Sequence, residues 1–426
     1  MSGLVLLVFL AVLVVLDVPI AVALAILALA AFWATQGFDS VVTSAVTLFS
    51  ASTNFPLLAI PLFILAGTIM NTAGITRRLV ALASALVGFV RGGLAMVNVA
   101  ASLFFAEISG SAVADVAALG SVLMPAMEKR GYPREFAAAV TSSSASLAII
   151  IPPSIPMILY AVMADASVVQ LFVAGLVPGL LGGGLMMVLC ALYARKYGFP
   201  VEQAFDLCRL WRATRDAGWA LVLPVIVLGG IFSGFVTATE AAGLAVAGAL
   251  LVGAIYRELS LRAIIAGAAD GVVQTAVVML LIATSALLGE YLTEARLPQM
   301  LARAITEATT SPWVVLALLN LLFLVLGCFL HGAAAIVLVV PIVMPIVRAV
   351  GIDPVHFGLV VTLNIAIGQQ TPPVASVLMT ACSIAKADIW AVTRWNVPFI
   401  GVLLAVLLLV TYLPAIPLFL VELFYR

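Results

Sequence analysis

The chain has 426 residues, of which 65% are hydrophobic and 9% are charged, and its mean hydropathy is +1.29. These values exclude a soluble globular fold and predict an all-α polytopic membrane protein. The 19 basic and 19 acidic residues balance, so net charge gives no reason to expect nucleic-acid binding. The four cysteines are isolated, with no Cys-x-x-Cys pair, and predict neither a disulfide framework nor a metal site.

The N-terminal part consists of apolar segments with few charges. Residues 1–16 and 19–36 are separated by Asp17 and Pro19, which can cap and start the second helix. No Lys or Arg precedes Arg77, so we expect a retained transmembrane segment rather than a cleaved signal peptide. Three further segments follow, at 41–52, 55–70 and, as a predicted surface arm, 79–90.

Residues 92–129 are predicted to form a re-entrant helical hairpin. Its polar tip, Glu107-Ile-Ser-Gly-Ser-Ala112, separates two apolar arms at 94–105 and 113–127. Arms of about twelve to fifteen residues are too short for the hydrocarbon layer, which a helix spans with roughly twenty. Arg91 and Lys129 at the two bases stay in water, so both bases are expected on the same side of the membrane.

The next helix, 135–163, is expected to break at Pro152 and Pro153, because each proline lacks an N–H and frees an upstream carbonyl. Irregular backbone at membrane depth occurs only where protein buries it or a hydrated cavity receives it. A hairpin tip that meets a broken helix therefore predicts a site for an ion or a small charged solute. A return helix at 168–193 and a polar cytoplasmic linker at 194–218 follow.

The second half of the chain repeats this plan, so residues 1–193 and 219–426 are predicted to be two repeats. Pro125, Pro152 and Pro178 each recur 220 residues later, as an internal duplication predicts. The repeated spans are 219–232, 240–256 and 270–288, followed by a hairpin at 313–348 with the tip Gly327-Cys-Phe-Leu-His-Gly332 and a helix, 356–385, broken at Pro372 and Pro373.

The distribution of Lys and Arg predicts that the two repeats are inverted. With Lys129 and the linker placed inside, fifteen Lys and Arg residues fall inside and four outside, as the positive-inside rule requires. The first hairpin then opens from the cytoplasm, the second opens from outside, and both termini are periplasmic. Inverted repeats with broken helices are typical of secondary transporters. The four outside residues are Arg296, Arg303, Arg348 and Arg426.

The shared depth of the hairpins and broken helices predicts that they move as one block. Segments 1–36 and 219–256 would form the fixed scaffold, and 79–90 and 291–309 would be surface arms that link scaffold and block.

Several short motifs give the chain a family resemblance. They are Ser109-Gly-Ser-Ala-Val-Ala-Asp115, Gly131-Tyr132, Ile151-Pro-Pro-Ser154, Val177-Pro-Gly179, Gly351-Ile-Asp-Pro354 with His356-Phe-Gly358, and Thr371-Pro-Pro-Val374. With these motifs the chain resembles, over essentially its whole length, the large membrane subunit of the tripartite ATP-independent periplasmic (TRAP) transporters. The resemblance implies an elevator-type carrier in a bacterial or archaeal inner membrane, similar in fold to divalent-anion sodium symporters. It also implies a small four-helix membrane subunit and a periplasmic binding protein that delivers an organic acid for sodium-driven uptake.

The resemblance further implies two sodium sites, each where a hairpin tip meets its broken helix. Residues for the first are Ser109, Gly110 and Ser111 with Ile151 and Pro152, and residues for the second are Gly327, Gly368 and Thr371. The substrate is expected beside Ser111, Asp115, Ser154, His331, Gly332 and Pro373. The chain departs from the family pattern at His331-Gly332, where an acidic residue is expected, and at Ala375, where a glycine is expected.

Each of these signals also has a structural interpretation. The Ser109-Gly-Ser111 tip fits close helix packing, Asp115 and Glu107 fit local capping or pairing, and His331 fits a hydrogen-bonded structural histidine. Two alternative functions follow: a stand-alone sodium/dicarboxylate symporter, and an intramembrane serine hydrolase. The hydrolase would use Ser109 or Ser111 as nucleophile and His331 or His356 as base.

Overall fold

A computed structural model gives the architecture of the chain. It describes residues Phe9, Val12, Leu13, Leu16, 18–201, 204–296, Met300, Arg303, Thr309 and 311–425. Within these residues the regular structure is helical, and the β-structure is limited to one isolated bridge between Arg91 and Val201. Seven helices of the described part are long and apolar enough to span a membrane. The predicted all-α polytopic fold is therefore confirmed.

The helices of the first half and the linker are α1 Ile20–Gln36, α2 Phe38–Ser52, α3 Ala59–Thr72, α4 Ile75–Val87, α5 Gly93–Ser109, α6 Ala112–Lys129, α7 Arg134–Ala145, α8 Ile155–Ala164, α9 Val168–Tyr197 and α10 Leu207–Asp216. Those of the second half are α11 Gly218–Phe232, α12 Ala238–Tyr256, α13 Leu261–Glu294, α14 Pro312–Phe329, α15 Gly332–Ala349, α16 Pro354–Gly368, α17 Ser376–Ala385, α18 Ile389–Tyr412 and α19 Ala415–Tyr425. A short 3-10 turn, Ser146–Ile149, extends α7 towards its break.

The internal repeat is visible in the helix order. Helices α14 to α18 begin 219 to 221 residues after α5 to α9. In both halves two hairpin arms are followed by a helix in two pieces and then by a long return helix. The two breaks lie at the paired prolines, and both Pro-Pro bonds are cis.

The hairpin arms are longer than the sequence suggests. The arms α5 and α6 have 17 and 18 residues, and α14 and α15 have 18 each. The predicted arms 94–105 and 113–127 were too short, because α5, for example, continues through Glu107 and Ser109 and ends only at Gly110, where φ is +59°. Neither arm of the first hairpin is among the described helices long and apolar enough to span a membrane, whereas both arms of the second hairpin are. Arm length therefore does not distinguish a re-entrant hairpin from a spanning one, and the contacts of the tips decide the question.

The broken helix of the first repeat runs from one hairpin base to the other. At its start, Arg134 pairs with Glu128 of the first hairpin at 2.5 Å. At its end, the Ala164 carbonyl accepts a hydrogen bond from Arg348 of the second hairpin at 2.8 Å. The break lies near the middle of this path, so a tip that touches the break lies at mid-depth.

The broken helix of the second repeat runs the opposite way. The Pro354 carbonyl at its start accepts a hydrogen bond from Tyr160, in the middle of α8, at 2.7 Å. Ala385 and Lys386 at its end share a small cavity with Glu128 of the first hairpin. Each broken helix thus begins beside its own hairpin base and ends beside the other. The two hairpins consequently open at opposite ends of the molecule, as inverted repeats require.

Three predicted segments have different bounds in the structure. In the linker 194–218, α9 continues to Tyr197 and α10 forms a separate amphipathic helix. Helix α13 is longer than the predicted span 270–288, so the start of the predicted arm 291–309 belongs to it. Most of the rest of that arm, and almost all of the predicted segment 1–16, lie outside the described residues.

Labelling of introduced cysteines tests the opposite openings. Lys129 and Ala349 are exposed residues at the two hairpin bases. We expect an impermeant maleimide added to intact cells to label only one of Lys129→Cys and Ala349→Cys, and to label the other only after permeabilisation. The parent should carry Cys208→Ser, because Cys208 is exposed, and the parent alone measures background labelling. Labelling of both introduced cysteines in intact cells would contradict the inverted arrangement.

Candidate functional site

The first hairpin tip contacts the first break through main-chain atoms. The Ile155 N–H donates to the Gly110 carbonyl at 3.4 Å. A Cβ atom at Gly110 would lie 2.7 Å from the Pro153 carbonyl oxygen, at a φ of +59°, so only glycine fits this contact. Ser111 then caps α6, with its side chain accepting from the Ala114 N–H at 3.5 Å.

The second tip contacts the second break in the corresponding way. The Val374 N–H donates to the Cys328 carbonyl at 3.1 Å. The helices cross at glycines, because a Cβ atom at Gly368 would lie 2.4 Å from the carbonyl carbon of Gly327. Both tips are therefore held at the breaks by backbone, and both helix starts, α6 and α15, lie beside a break.

A cavity of about 520 Å³ lies between the two tips. Ser111 and His331 line it from the tips, Ile155 and Gln369 line it from the breaks, and Gln274 lines it from α13. This volume lies in the range of small-molecule sites. The cavity is thus bounded by the tips and breaks of both repeats, by α13 and by Ile64 of α3.

The predicted site residues divide into those that line the cavity and those that lie behind it. Gly110, Ser111 and His331 line the cavity. Asp115 and Ser154 are both 0% exposed and are absent from the lining. Ser154 caps α8 instead: its side chain accepts from the Met157 N–H at 3.4 Å and donates to the Ile149 carbonyl at 2.7 Å.

The remaining predicted residues support the tips or the breaks. A Cβ atom at Gly332 would lie 2.4 Å from Nε2 of Gln369, and the Thr371 hydroxyl donates to the Ile367 carbonyl at 2.9 Å. Ile151 and Pro152 are buried at the first break, and Pro373 is exposed away from the cavity lining. The side chain of Ser109 lies outside the described part, although its backbone ends α5.

Sequence reasoning missed a buried polar cluster that joins the two repeats. The Gln370 amide of the second break donates to the Ser142 carbonyl of α7 at 2.7 Å and to the Ser146 hydroxyl. Asn396 of α18 donates to the Gln370 side-chain oxygen at 3.1 Å and accepts from Ser143. All these residues are 0% exposed. Polar residues in an apolar helix do indicate a function or a buried hydrogen bond, because such residues are rare inside a membrane. The sequence could not show that these residues contact one another, because they are far apart along the chain.

Sequence reasoning also missed a buried asparagine on the first arm of each hairpin that is hydrogen-bonded to the neighbouring broken helix. Asn98 and Asn320 lie on the first arm of each hairpin, and each bonds a residue of the neighbouring broken helix. Ser144 donates to Asn98 at 3.5 Å, and Asn364, 220 residues after Ser144, donates to Asn320 at 2.7 Å. The Asn364 side-chain oxygen is buried without a hydrogen-bond partner. A buried acceptor of this kind needs an explanation, and a bound cation would provide one.

Two inverted repeats whose hairpin tips meet broken helices around a central cavity define a secondary-transporter class of membrane protein. Residues 7–416 match the family described as "Tripartite ATP-independent periplasmic transporter, DctM component". The chain belongs to this family, which confirms the resemblance found in the sequence. The family consists of transport permeases and not of enzymes, so the serine-hydrolase alternative is wrong. His356, one of its candidate bases, is buried and hydrogen-bonded to the Val410 carbonyl at 2.8 Å.

Several relatives are similar over most of this chain. It is 41% identical over 407 residues to the isethionate TRAP transporter permease protein DctMQ of Oleidesulfovibrio alaskensis, covering 95% of this chain and 64% of that relative's length. It is 40% identical to the C4-dicarboxylate TRAP transporter large permease protein DctM of Pseudomonas aeruginosa, over 89% of each. It is 39% identical to the sialic acid TRAP transporter large permease protein SiaM of Vibrio cholerae, over 87% of each.

The fold is also similar to a solved structure, that of the YdaH transporter of Alcanivorax borkumensis. The TM-score is 0.66, and the match covers 88% of each chain at 15% sequence identity. At this identity the likeness shows the fold alone.

Substitution of the contact glycines tests the tip–break geometry. Gly110→Ala and Gly368→Val should each reduce uptake at least about tenfold, because a side chain at either position meets backbone atoms and the first also strains the backbone by roughly 1–2 kcal/mol. Gly184→Ala is the matched control, since a Cβ atom there meets nothing within 4 Å. Normal uptake by both tip variants in correctly inserted protein would contradict the proposed contacts.

A double-mutant cycle tests the polar cluster. Gln370→Met and Asn396→Leu should each destabilise the purified protein, because each leaves buried partners unpaired at a cost of about 1–3 kcal/mol. The loss of stability in the double variant should be smaller than the sum of the two single losses, because the Gln370–Asn396 hydrogen bond is then removed without leaving either amide buried and unpaired. Thermal unfolding midpoints in detergent measure this, with Thr393→Val as control, since its hydroxyl bonds only its own helix at Ile389. Additive losses would show that the two residues act independently.

Proposed function

We propose that this chain is the permease subunit of a sodium-coupled transporter that takes up an organic acid. The observation that carries the proposal is the cavity at which both tips, both breaks and α13 meet. Both repeats contribute to this cavity, so a substrate held there contacts structures that open towards opposite ends of the molecule. Such a site can be exposed first to one side of the membrane and then to the other.

The cavity favours a small anion with an apolar part. The starts of α6 and α15 border it, and helix N-termini attract negative charge through their N–H groups. None of the described lining residues is Lys or Arg, so these helix starts and bound cations would supply the positive potential. Apolar residues such as Ile155 and Val277 form most of the remaining surface. The names of the relatives, which include a sulfonate, dicarboxylates and a sugar acid, point to the same class.

Sodium would bind beside the tips, where main-chain oxygens are available. As a hard cation it prefers oxygen ligands, and the first site would use Gly110 and Ser111 with the break at Pro152. The second would use Gly327, Gly368 and Thr371, and we add Asn364. Its free side-chain oxygen and its position opposite Gly327 support this addition, because a Cβ atom at Gly327 would lie 3.5 Å from the Asn364 carbonyl.

Family membership supports a proposal about partners and location, and the shared depth of the hairpins and broken helices supports one about movement. We propose that a periplasmic binding protein delivers the acid, and that a small four-helix membrane subunit stays with the scaffold in a bacterial inner membrane. The hairpins and broken helices would move together in an elevator motion against α12 and α13. Both termini would be periplasmic, as the Lys and Arg distribution predicts.

Uptake into proteoliposomes supplied with the partner proteins and the acid tests sodium coupling. We expect uptake in a sodium gradient and almost none in potassium buffer. Asn364→Ser, which places the first-repeat residue type at this position, should raise the sodium concentration for half-maximal uptake about tenfold, a loss of about 1.4 kcal/mol in sodium binding, because the shorter side chain withdraws one oxygen ligand. Thr362→Val is the control, because its hydroxyl bonds its own helix at Gly358. Equal uptake in potassium buffer would exclude sodium coupling.

A further inference from the structure

Helix α10 carries an apolar face that the protein leaves uncovered. Trp211 is 71% exposed, Leu207 is 69% exposed, and Phe205 just before the helix is 55% exposed. At helical spacing, Leu207, Trp211 and Thr214 share one face. Helices with a strong apolar face and a basic polar face are typical of membrane interfaces. We therefore expect another molecule to cover this face, and the geometry and charge of the surrounding residues indicate which kind.

The angle between α10 and the next helix is consistent with a position of α10 at the membrane surface. Helix α11 is apolar, and its axis is bent by 61° from that of α10 across a short break. Since spanning helices tilt by roughly 20° on average, a bend of 61° inclines α10 by about 41° to 81° from the membrane normal, so α10 does not continue the span of α11. Trp219 at the start of α11 is half exposed, as an aromatic residue at the headgroup level is expected to be.

The charges beside this face are mostly positive. Arg212 and Arg215 of α10 are exposed, as are Arg195 and Lys196 at the end of α9. Of the two acidic residues at the ends of α10, Asp206 is engaged as the cap and accepts from the Cys208 N–H at 2.9 Å. The remaining acid, Asp216, does not balance the basic residues. Such a surface is complementary to anionic lipid headgroups.

The linker is also attached to the surface arm that precedes the first hairpin and to the base of that hairpin. Arg209 donates to the Ser84 hydroxyl of α4 at 3.4 Å, and the rings of Phe89 and Phe205 meet edge to face at 5.1 Å. The Gly92 N–H at the hairpin base donates to the Pro200 carbonyl at 3.1 Å. A lipid bound by α10 would therefore hold a segment that is bonded to the hairpin.

We propose that α10 is a docking surface for anionic phospholipids, with Trp211 and Leu207 in the apolar layer and Arg212 and Arg215 at the phosphate groups. Lipid docking steadies the linker, and through it the base of the first hairpin. The binding part of this proposal stands without the transport function, and the effect on uptake rests on it.

Brominated lipids test the binding part directly in nanodiscs that contain the full chain. Brominated phosphatidylglycerol should quench tryptophan fluorescence more than brominated phosphatidylcholine does, and Trp211→Phe should remove most of this difference. Arg212→Gln with Arg215→Gln should weaken the preference for phosphatidylglycerol by about 25-fold, since each basic residue near an anionic surface contributes about fivefold. Arg394→Gln, an exposed arginine on α18, is the matched control and should change nothing.

Two results would overturn the proposal. One is quenching at Trp211 that is equal for both lipids. The other is quenching that disappears when the small membrane subunit is added, which would assign the face to that protein. In active proteoliposomes, uptake should rise several-fold with phosphatidylglycerol for the parent and the control but not for the double arginine variant. Sodium-dependent uptake that ignores lipid charge would refute the effect on the hairpin while leaving the transport function intact.

Discussion

The arrangement of both repeats depends on one constraint, which is that polar backbone groups at membrane depth need partners inside the protein. Each broken helix interrupts its own hydrogen-bond ladder at paired prolines. The tip of its hairpin meets the interruption, through Gly110 and Ile155 in the first repeat and through Cys328 and Val374 in the second. These contacts require backbone approach closer than a side chain allows. A tip and its break therefore form one unit, and main-chain oxygens remain the natural ligands between them.

The two units share a backbone plan and differ in their side chains. At the offset of 220 residues, Ile149 and Ile150 of the first break correspond to Gln369 and Gln370 of the second. Gln369 faces the cavity, and Gln370 reaches the serine-rich helix of the other repeat. At this pair of positions the first repeat gives the cavity the apolar Ile149 and the second gives it the amide of Gln369. This asymmetry fits an acid that has a charged end and a carbon skeleton.

The sequence predicted the architecture well because prolines and glycines determine it locally. The first broken helix was expected at 135–163 and lies at 134–164, apart from its break. The arm lengths were wrong because the apolar runs end before the helices do: polar residues such as Glu107 continue the helix where protein surrounds it. The Gln370 cluster could not be found, since its hydrogen-bonded residues lie up to 253 positions apart. Asp115 and Ser154 were predicted to contact substrate because they are polar residues inside membrane segments, but both lie behind the cavity lining. Sequence shows that such a residue is unusual, but it does not show which way the side chain points.

The distribution of strong and weak contacts supports the proposed movement as a block. The directional bonds described above, Gln370 to Ser142 and Asn364 to Asn320, join hairpins and broken helices to one another. Helix α13 meets the cavity mainly through Val273, Val277 and Val278. Apolar contacts are non-directional, so they can be exchanged during sliding at lower cost than buried hydrogen bonds can be broken. A rigid block that slides along an apolar helix keeps its site intact while the side to which the site opens changes.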